Sequence, residues 1–334
     1  MPHPVSIFSR LRRRLNYWRR DLGWKLGMGH AFFKKAKGAR MIVYHGICSS
    51  DHLRFNSLFI KLETFEAHLQ FYKKHFNIVS LDDFFQQRFS DDRFNICITF
   101  DDGLANNYKY VLPLLQQYEI SSAFFITGIR DAGYDILWND FLTIGGKSGP
   151  AKIVFRNEEF IKNRLGKYVS AINKKPLAII LRDGGFGIKA EMMQSFNTLF
   201  SFRNIVNDDY WLQMTSEQIK KLSESRWVTI GSHGYYHNDL EKIDLNKATE
   251  EMKKSKHYLE QLTGKDVKAL AFPYGSYSEK IVDAAKKTGY TQLLTTGFHF
   301  EENKTDATLQ ERLTINPFIS VYNQMHAIVT GNYD

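Results

Sequence analysis

The chain reads as an α/β protein, either a barrel or a doubly wound sheet. Three observations predict this. Short apolar runs recur, each bounded by turn residues. Helical stretches with one apolar face alternate with them. Several of the runs are apolar almost throughout, which suits parallel strands buried on both faces. The chain has 334 residues, enough for one large α/β domain or two medium ones. An apolar content of 43% and a charged content of 24% are ordinary for a globular protein.

The first element is unlike the rest. Residues 1–40 hold eleven Lys or Arg against one acid, Asp21, a net +10; the remaining residues carry 34 basic and 35 acidic side chains. The overall +9 therefore belongs to one segment, and the body need not be a nucleic-acid binder. Within it Ile7, Phe8, Leu11, Leu15, Trp18 and Leu22 step by one, three or four and share one helical face. Arg12, Arg13, Arg19 and Arg20 lie largely off that face. No uninterrupted apolar core of a secretory signal is present, and no apolar run of about 18 residues spans a membrane. We expect residues 1–39 to form a basic amphipathic helix, with residues 5–37 meeting an anionic membrane surface. The alternative is a helix that packs its apolar face on the body and solvates its arginines.

The domain then begins at about residue 40 and runs to 334. Strands are predicted at 41–45 (MIVYH), 95–100 (NICITF), 122–127 (SAFFIT), 227–231 (WVTIG), 268–272 (KALAF), 291–295 (TQLLT) and 313–315. Between them, 63–75 places Phe65, Leu69 and Tyr72 on one helical face. A second helix covers 107–118. A third covers 246–262, capped by Asn246 and stopped at Thr263-Gly264; a fourth covers 278–288, capped by Ser278. Residues 131–215 interrupt the rhythm and read as an inserted, mainly helical subdomain too poor in apolar residues for a core of its own. Cys48 and Cys97 sit in apolar surroundings and read as buried thiols, with a pairing between them as the alternative.

Three polar clusters end three of these strands. The first is TFDDG at 99–103, with Asp101 and Asp102 adjacent. Neighbouring carboxylates repel and raise each other's pKa, so a buried strand end tolerates them only with partners. The second is GSHGYYH, with His233 and His237 four apart and able to reach one metal ion from a helical turn. Alone, such a pair at a strand end is more often solvent-side. The third is FPYG at 272–275, a turn that aims backbone N–H groups at the same edge. All three lie at C-terminal strand ends, where α/β folds assemble their sites. One carboxylate with two histidines makes an open three-ligand metal site, and the other carboxylate is then available as a base for water.

TFDDG, then S-H-x-x-x-H, then F-P-Y-G, in that order, resembles the polysaccharide deacetylase family, metal-dependent carbohydrate esterases related to the nodulation chitooligosaccharide deacetylase. The resemblance covers about residues 40–130 and 215–320. MIVYHGI and ETFEAHLQFYKKHFNIVSLDDF resemble the entry to this domain in its bacterial surface-polysaccharide branch. It implies a distorted (β/α)7-type barrel and hydrolysis of an N-acetyl group from an aminosugar. By motif, Asp102, His233 and His237 are implied as metal ligands, Asp101 as general base, and the Tyr274 backbone N–H as oxyanion donor.

Three departures stand out. Ala271 occupies the position where the family often carries the arginine that orients the base. Arg312, in ERLTINPF, is the candidate replacement, with a surface ion pair as the alternative reading. The late Leu-x-His that often supplies the acid in the family is not obvious here. Among His45, His299 and His326 we favour His45, because it ends the first strand on the active edge; a core histidine is its alternative. The family's Asp- and Trp-rich fourth motif is replaced by YTQLLTTG.

The expected function is removal of N-acetyl groups from N-acetylhexosamine in a bacterial surface glycan (lipopolysaccharide, capsule or exopolysaccharide) or its lipid-linked precursor. Alternatives are a catalytically silent glycan- or membrane-binding relative, or an O-acyl esterase of the same fold. The expected cofactor is a divalent metal, zinc first, with cobalt, nickel, manganese and iron able to use similar ligands. The expected partners are an N-acetylated glycan or glycolipid and a membrane surface, not nucleic acid. The expected location is cytoplasmic and peripheral, at the inner face of the plasma membrane.

Overall fold

A closed ring of seven parallel strands forms the centre of the molecule. The structure, a computed structural model, describes residues 7–334. Residues 5 and 6 of the predicted membrane segment, and the side chains of Ile7 and Phe8 on its apolar face, lie outside the described residues. The ring strands are β1 (Ala39–Tyr44), β2 (Asn95–Phe100), β3 (Ser122–Ile126), β4 (Val228–Ser232), β5 (Ala269–Ala271), β6 (Gln292–Thr295) and β7 (Leu309–Thr314). Their order is β1-β7-β6-β5-β4-β3-β2, and β2 closes back on β1 with Ala39 opposite Asn95 and Tyr44 opposite Phe100. Two irregularities distort the ring. Asn77–Ile78 pairs with the first residues of β2, on the side where β3 begins only at Ile98. Between β4 and β5 a single pair, Ser232 opposite Leu270, holds the seam.

Alternation along each strand sorts the side chains. Ile42, Ile96, Ile98, Phe124, Leu270 and Leu293 face the surrounding helices and join the main core. Met41, Cys97, Ala123, Phe125, Ala269, Ala271 and Leu294 fill the interior of the ring. The interior is built from small residues: a Cβ on Gly231 would come within 2.5 Å of the Phe125 ring. The same two-residue period carries Cys97 and Thr99 into Asp101, and Gly231 into His233. Those two side chains therefore emerge inward, at the C-terminal mouth of the barrel.

The strands match the sequence reading closely, apart from β7, which starts four residues earlier than predicted. The helix read at 246–262 spans Leu245–Thr263 and ends on Gly264, whose φ of 67° is the left-handed stop the Gly supplies. Its cap is Asp244, not Asn246: the Asp244 carboxylate accepts the backbone N–H groups of Asn246 and Lys247. Ser278 stands at the N-cap position of Glu279–Lys287 without a side-chain capping bond. Both cysteines are free and buried.

The insertion differs from its sequence reading. It contains helices Trp138–Ser148, Leu177–Arg182 and Phe186–Phe196, but also a three-stranded antiparallel sheet at Lys152–Phe155, Glu158–Lys162 and Tyr168–Ser170. It also has the core that the sequence reading denied it. Phe141, Phe160, Met192 and Phe200 are buried with the barrel-loop residues Phe59 and Leu104.

The N-terminal helix Ile7–Lys25 lies against the C-terminal helix Val321–Thr330. It is held by polar and aromatic contacts. Tyr17 Oη donates to the Tyr333 carbonyl at 2.6 Å, Asp21 accepts from Ser320 and Asn323, and Trp24 stacks on Tyr322 at 4.9 Å. The predicted Leu/Trp face is not the docking face. Leu11, Leu15, Trp18 and Leu22 remain 42–62% exposed, so the reading in which this stripe packs on the body is overturned. No helix among the described residues is long and apolar enough to cross a membrane.

Candidate metal centre and its catalytic neighbours

Each of the three motif turns bends its backbone into the left-handed region. Asp102 has φ 76° beside Gly103 at 75°, His237 has φ 55°, and Tyr274 has φ 62° beside Gly275 at 64°. For a residue as bulky as Tyr this conformation costs energy, and such positions cluster where a structure needs a side chain or N–H aimed in an unusual direction. The turns aim three ligand atoms at one point. Asp102, His233 and His237 are buried, and their ligand atoms all lie within 4.8 Å of one another. Asp102 Oδ1 is 3.5 Å from His233 Nε2 and 3.3 Å from His237 Nε2.

The donor set suits a cation. His233 Nδ1 lies 2.8 Å from the Ala271 carbonyl, an acceptor only, so Nδ1 carries the proton and Nε2 offers its lone pair to the site. Burial pushes the Asp102 carboxyl up, but the facing imidazoles of His233 and His237 outweigh it and hold it well below the usual carboxylate range. The two histidines diverge. Burial lowers His237 despite Asp102, whereas for His233 the carboxylates Asp101 and Asp102 overcome burial and raise it. A one-carboxylate, two-imidazole set with an open side fits zinc or a similar divalent ion.

Asp101 has a different surrounding. Arg312 grips it with both arms, Nη1 to Oδ1 at 2.7 Å and Nη2 to Oδ2 at 2.8 Å. Arg312 is 2% exposed, so the surface ion-pair reading does not describe it. Its guanidinium lies 5.3 Å from the centre of the Phe125 ring and also donates to Thr99 Oγ1, which in turn donates to the Ile42 carbonyl. Ala271, at the family's arginine position, is one of the small interior residues, and Arg312 enters the same interior from β7, opposite Met41. Burial pushes the Asp101 carboxyl up, but Arg312 and His233 outweigh it and hold the pKa below its ordinary value.

His45 follows β1, between β2 and β7, the strands that deliver Asp101 and Arg312. Its buried Nδ1 has no hydrogen-bond partner. The other two acid candidates are elsewhere. His299 stacks on Tyr277 at 4.4 Å, and His326 stacks on Phe32 under the N-terminal helices. The Tyr274 ring stands 4.8 Å from His237, and Arg182 of the insertion lies 4.5 Å from the centre of that ring.

The sequence reading missed the residues that support the His237 turn. Glu251, on helix Leu245–Thr263, accepts from the backbone N–H groups of Tyr236 and Asn238 and from Asn238 Nδ2. Two cations from the insertion hold the same turn: Lys189 donates to Asn238 Oδ1 at 2.6 Å, and Arg182 to Asp239 Oδ2 at 2.7 Å. Burial lowers the Lys189 pKa to about 8. Asp140, in the first turn of Trp138–Ser148, is also buried; burial and then Asp102 raise its pKa well above normal. Nothing in periodicity or local composition marks these residues, because their partners are set only by how the insertion docks.

Known proteins resemble this chain in sequence and in fold. A family model described as polysaccharide deacetylase matches residues 90–147 and 197–293, leaving out the middle of the insertion. The Bacillus subtilis protein YxkH, a polysaccharide deacetylase by assignment, is 21% identical over 272 residues, 80% of this chain and 68% of its own. Among solved structures, the Streptococcus pyogenes deacetylase PplD in complex with acetate is similar with a TM-score of 0.57 at 18% identity, over 87% of this chain and 97% of that one. IcaB from Ammonifex degensii gives 0.52 at 16%, over 88% and 97%. At these identities the structural likeness speaks for the fold.

Proposed function

The chain belongs to the polysaccharide deacetylase family, hydrolases that act on acetyl amides of polysaccharides, and we propose that it removes N-acetyl groups from N-acetylhexosamine in a metal-dependent reaction. The observation that carries this reading is the split between adjacent carboxylates. Asp102 turns to two imidazoles, while Asp101 is held by a guanidinium, with Oδ2 3.9 Å from His233 Nε2. Asp102, His233 and His237 would hold the ion, which when bound supplies Lewis acidity to the amide carbonyl and acidifies water.

The remaining chemistry falls to this chain's own groups. Asp101 takes the proton from the attacking water, and the two-armed contact with Arg312 fixes the direction of its free lone pairs. The strained turn at Tyr274 presents its N–H to the oxygen that gains charge as the carbonyl carbon becomes tetrahedral. His45 gives a proton to the departing nitrogen, so acetate and a free amine leave together. The glycan belongs to a bacterial surface polysaccharide or its lipid-linked precursor, a reading that rests on the MIVYHGI and ETFEAHLQFYKKHFNIVSLDDF stretches.

A substrate panel tests this. Zinc- or cobalt-loaded protein is assayed for acetate release from N-acetylglucosamine oligomers, nucleotide-linked and lipid-linked N-acetylhexosamines, and O-acetylated sugars. Acetate from the N-acetyl substrates is the expected result. Release from O-acetyl substrates alone identifies an esterase, and release from none identifies a silent binding relative.

A further inference from the structure

We propose that the outer face of the N-terminal helix is a membrane-docking surface for anionic phospholipid, mounted rigidly on the barrel. The helix presents two faces, and the usual assignment is inverted. Arg13, Asn16, Tyr17, Arg20, Asp21 and Trp24 recur at helical spacing and turn toward the body, each partly buried. Tyr17, Arg20, Asp21 and Trp24 bond or stack against the C-terminal helix and the chain's last two residues. The opposite stripe of Leu11, Leu15, Trp18 and Leu22 is exposed, and Leu26 and Met28 extend it with 64% and 66% of their surface open. Scattered apolar residues on a surface need no explanation, but a continuous stripe along one helix does.

The charges around the stripe choose its occupant. Arg12, Arg14, Arg19 and Lys25 are exposed alongside it. The one acid of the segment, Asp21, is turned inward onto Ser320 and Asn323. A second copy meeting this stripe across a two-fold axis would bring two sets of arginines together. A nucleic acid would satisfy the arginines and leave the Leu and Trp side chains in water. An anionic bilayer interface satisfies both, with apolar side chains at the acyl boundary and cations among phosphates. Because Tyr17, Arg20, Asp21 and Trp24 bond or stack the helix onto the body, it fixes the orientation of the barrel on the membrane. That suits a glycan presented on a lipid carrier.

The full chain is tested by co-sedimentation with neutral phosphatidylcholine vesicles and with vesicles containing about one third phosphatidylglycerol. Binding to the anionic vesicles at least tenfold tighter than to neutral ones, weakening with salt, is expected. Leu15→Glu/Trp18→Glu and Arg12→Glu/Arg19→Glu should each reduce it at least tenfold, with unchanged melting temperature and unchanged acetate release from a soluble substrate. Equal binding by wild type and both variants, or no binding to either vesicle, overturns the proposal. A concentration-dependent dimer abolished by Leu15→Glu/Trp18→Glu, without vesicle binding, assigns the stripe to a second copy and also overturns it. Vesicle binding and dimerisation are read without deacetylation, so failure here leaves the proposed activity standing.

Discussion

Two identical side chains, Asp101 and Asp102, differ by one residue and by the whole of their environment. The strand period sends Asp101 inward to Arg312, and the left-handed turn at Asp102 swings the next carboxyl onto His233 and His237. The residue types and their pairing were legible in TFDDG and in the histidine spacing. The position of Arg312 was less so, because a strand arginine reads as surface until the inward register of β7 is known. The pair has an energetic signature. Arg312→Met leaves a buried carboxylate without a counter-charge, so denaturant unfolding should show a loss of about 3–5 kcal/mol. Adding Asp101→Asn to it should recover at least half of that loss; no recovery would mean that Arg312 acts mainly through its packing on Phe125. Arg312→Lys keeps the charge but not the fork, and kcat should fall about 100-fold with metal affinity unchanged.

Among the elements, buried strands and amphipathic helices declared themselves, while the insertion's sheet did not. Its hairpin turns at Arg156-Asn157, both left-handed with φ of 50° and 62°. That is the turn geometry usually signalled by Asn-Gly, and here neither residue is glycine. Its strands also place charges on their open face, so they read as loop. Helix Leu62–His75 carries a different consequence. His68 is fully buried against Tyr44, and burial alone lowers its pKa to about 3. The unfolded chain binds a proton at an ordinary histidine pKa of about 6.5, so between about pH 3 and 6.5 it holds more protons than the folded chain. Stability therefore rises with pH across that window and is lost as pH falls through it. Each pKa unit is worth ~1.4 kcal/mol, so this group should remove roughly 3 kcal/mol between pH 6.5 and 4. Chemical denaturation at both pH values should show His68→Leu losing correspondingly less; an identical pH slope would show that His68 is not the titrating group.

At the scale of the whole molecule, the barrel brings together turns that are some 130 residues apart in sequence. β2 leads into both carboxylates, β4 into both histidines, β5 into Tyr274 and β1 into His45, and β7 carries Arg312 to Asp101. The strand-end rule made this meeting legible from sequence, since all three motifs follow strands that run the same way. The clamp on the His237 turn was not legible, because Lys189 and Arg182 reach it only through the docking of the insertion. The central claim is that Asp101 acts as the base beside an ion held by Asp102, His233 and His237. Acetate release from an N-acetylglucosamine oligomer by wild type and Asp101→Asn, each stripped with chelator and reloaded with one equivalent of zinc, tests it most directly. The account predicts that stripped wild type is inactive and recovers on reloading, while Asp101→Asn retains the zinc and stays at least 1,000-fold slower. Comparable turnover by the loaded variant, or turnover by stripped wild type, would contradict it.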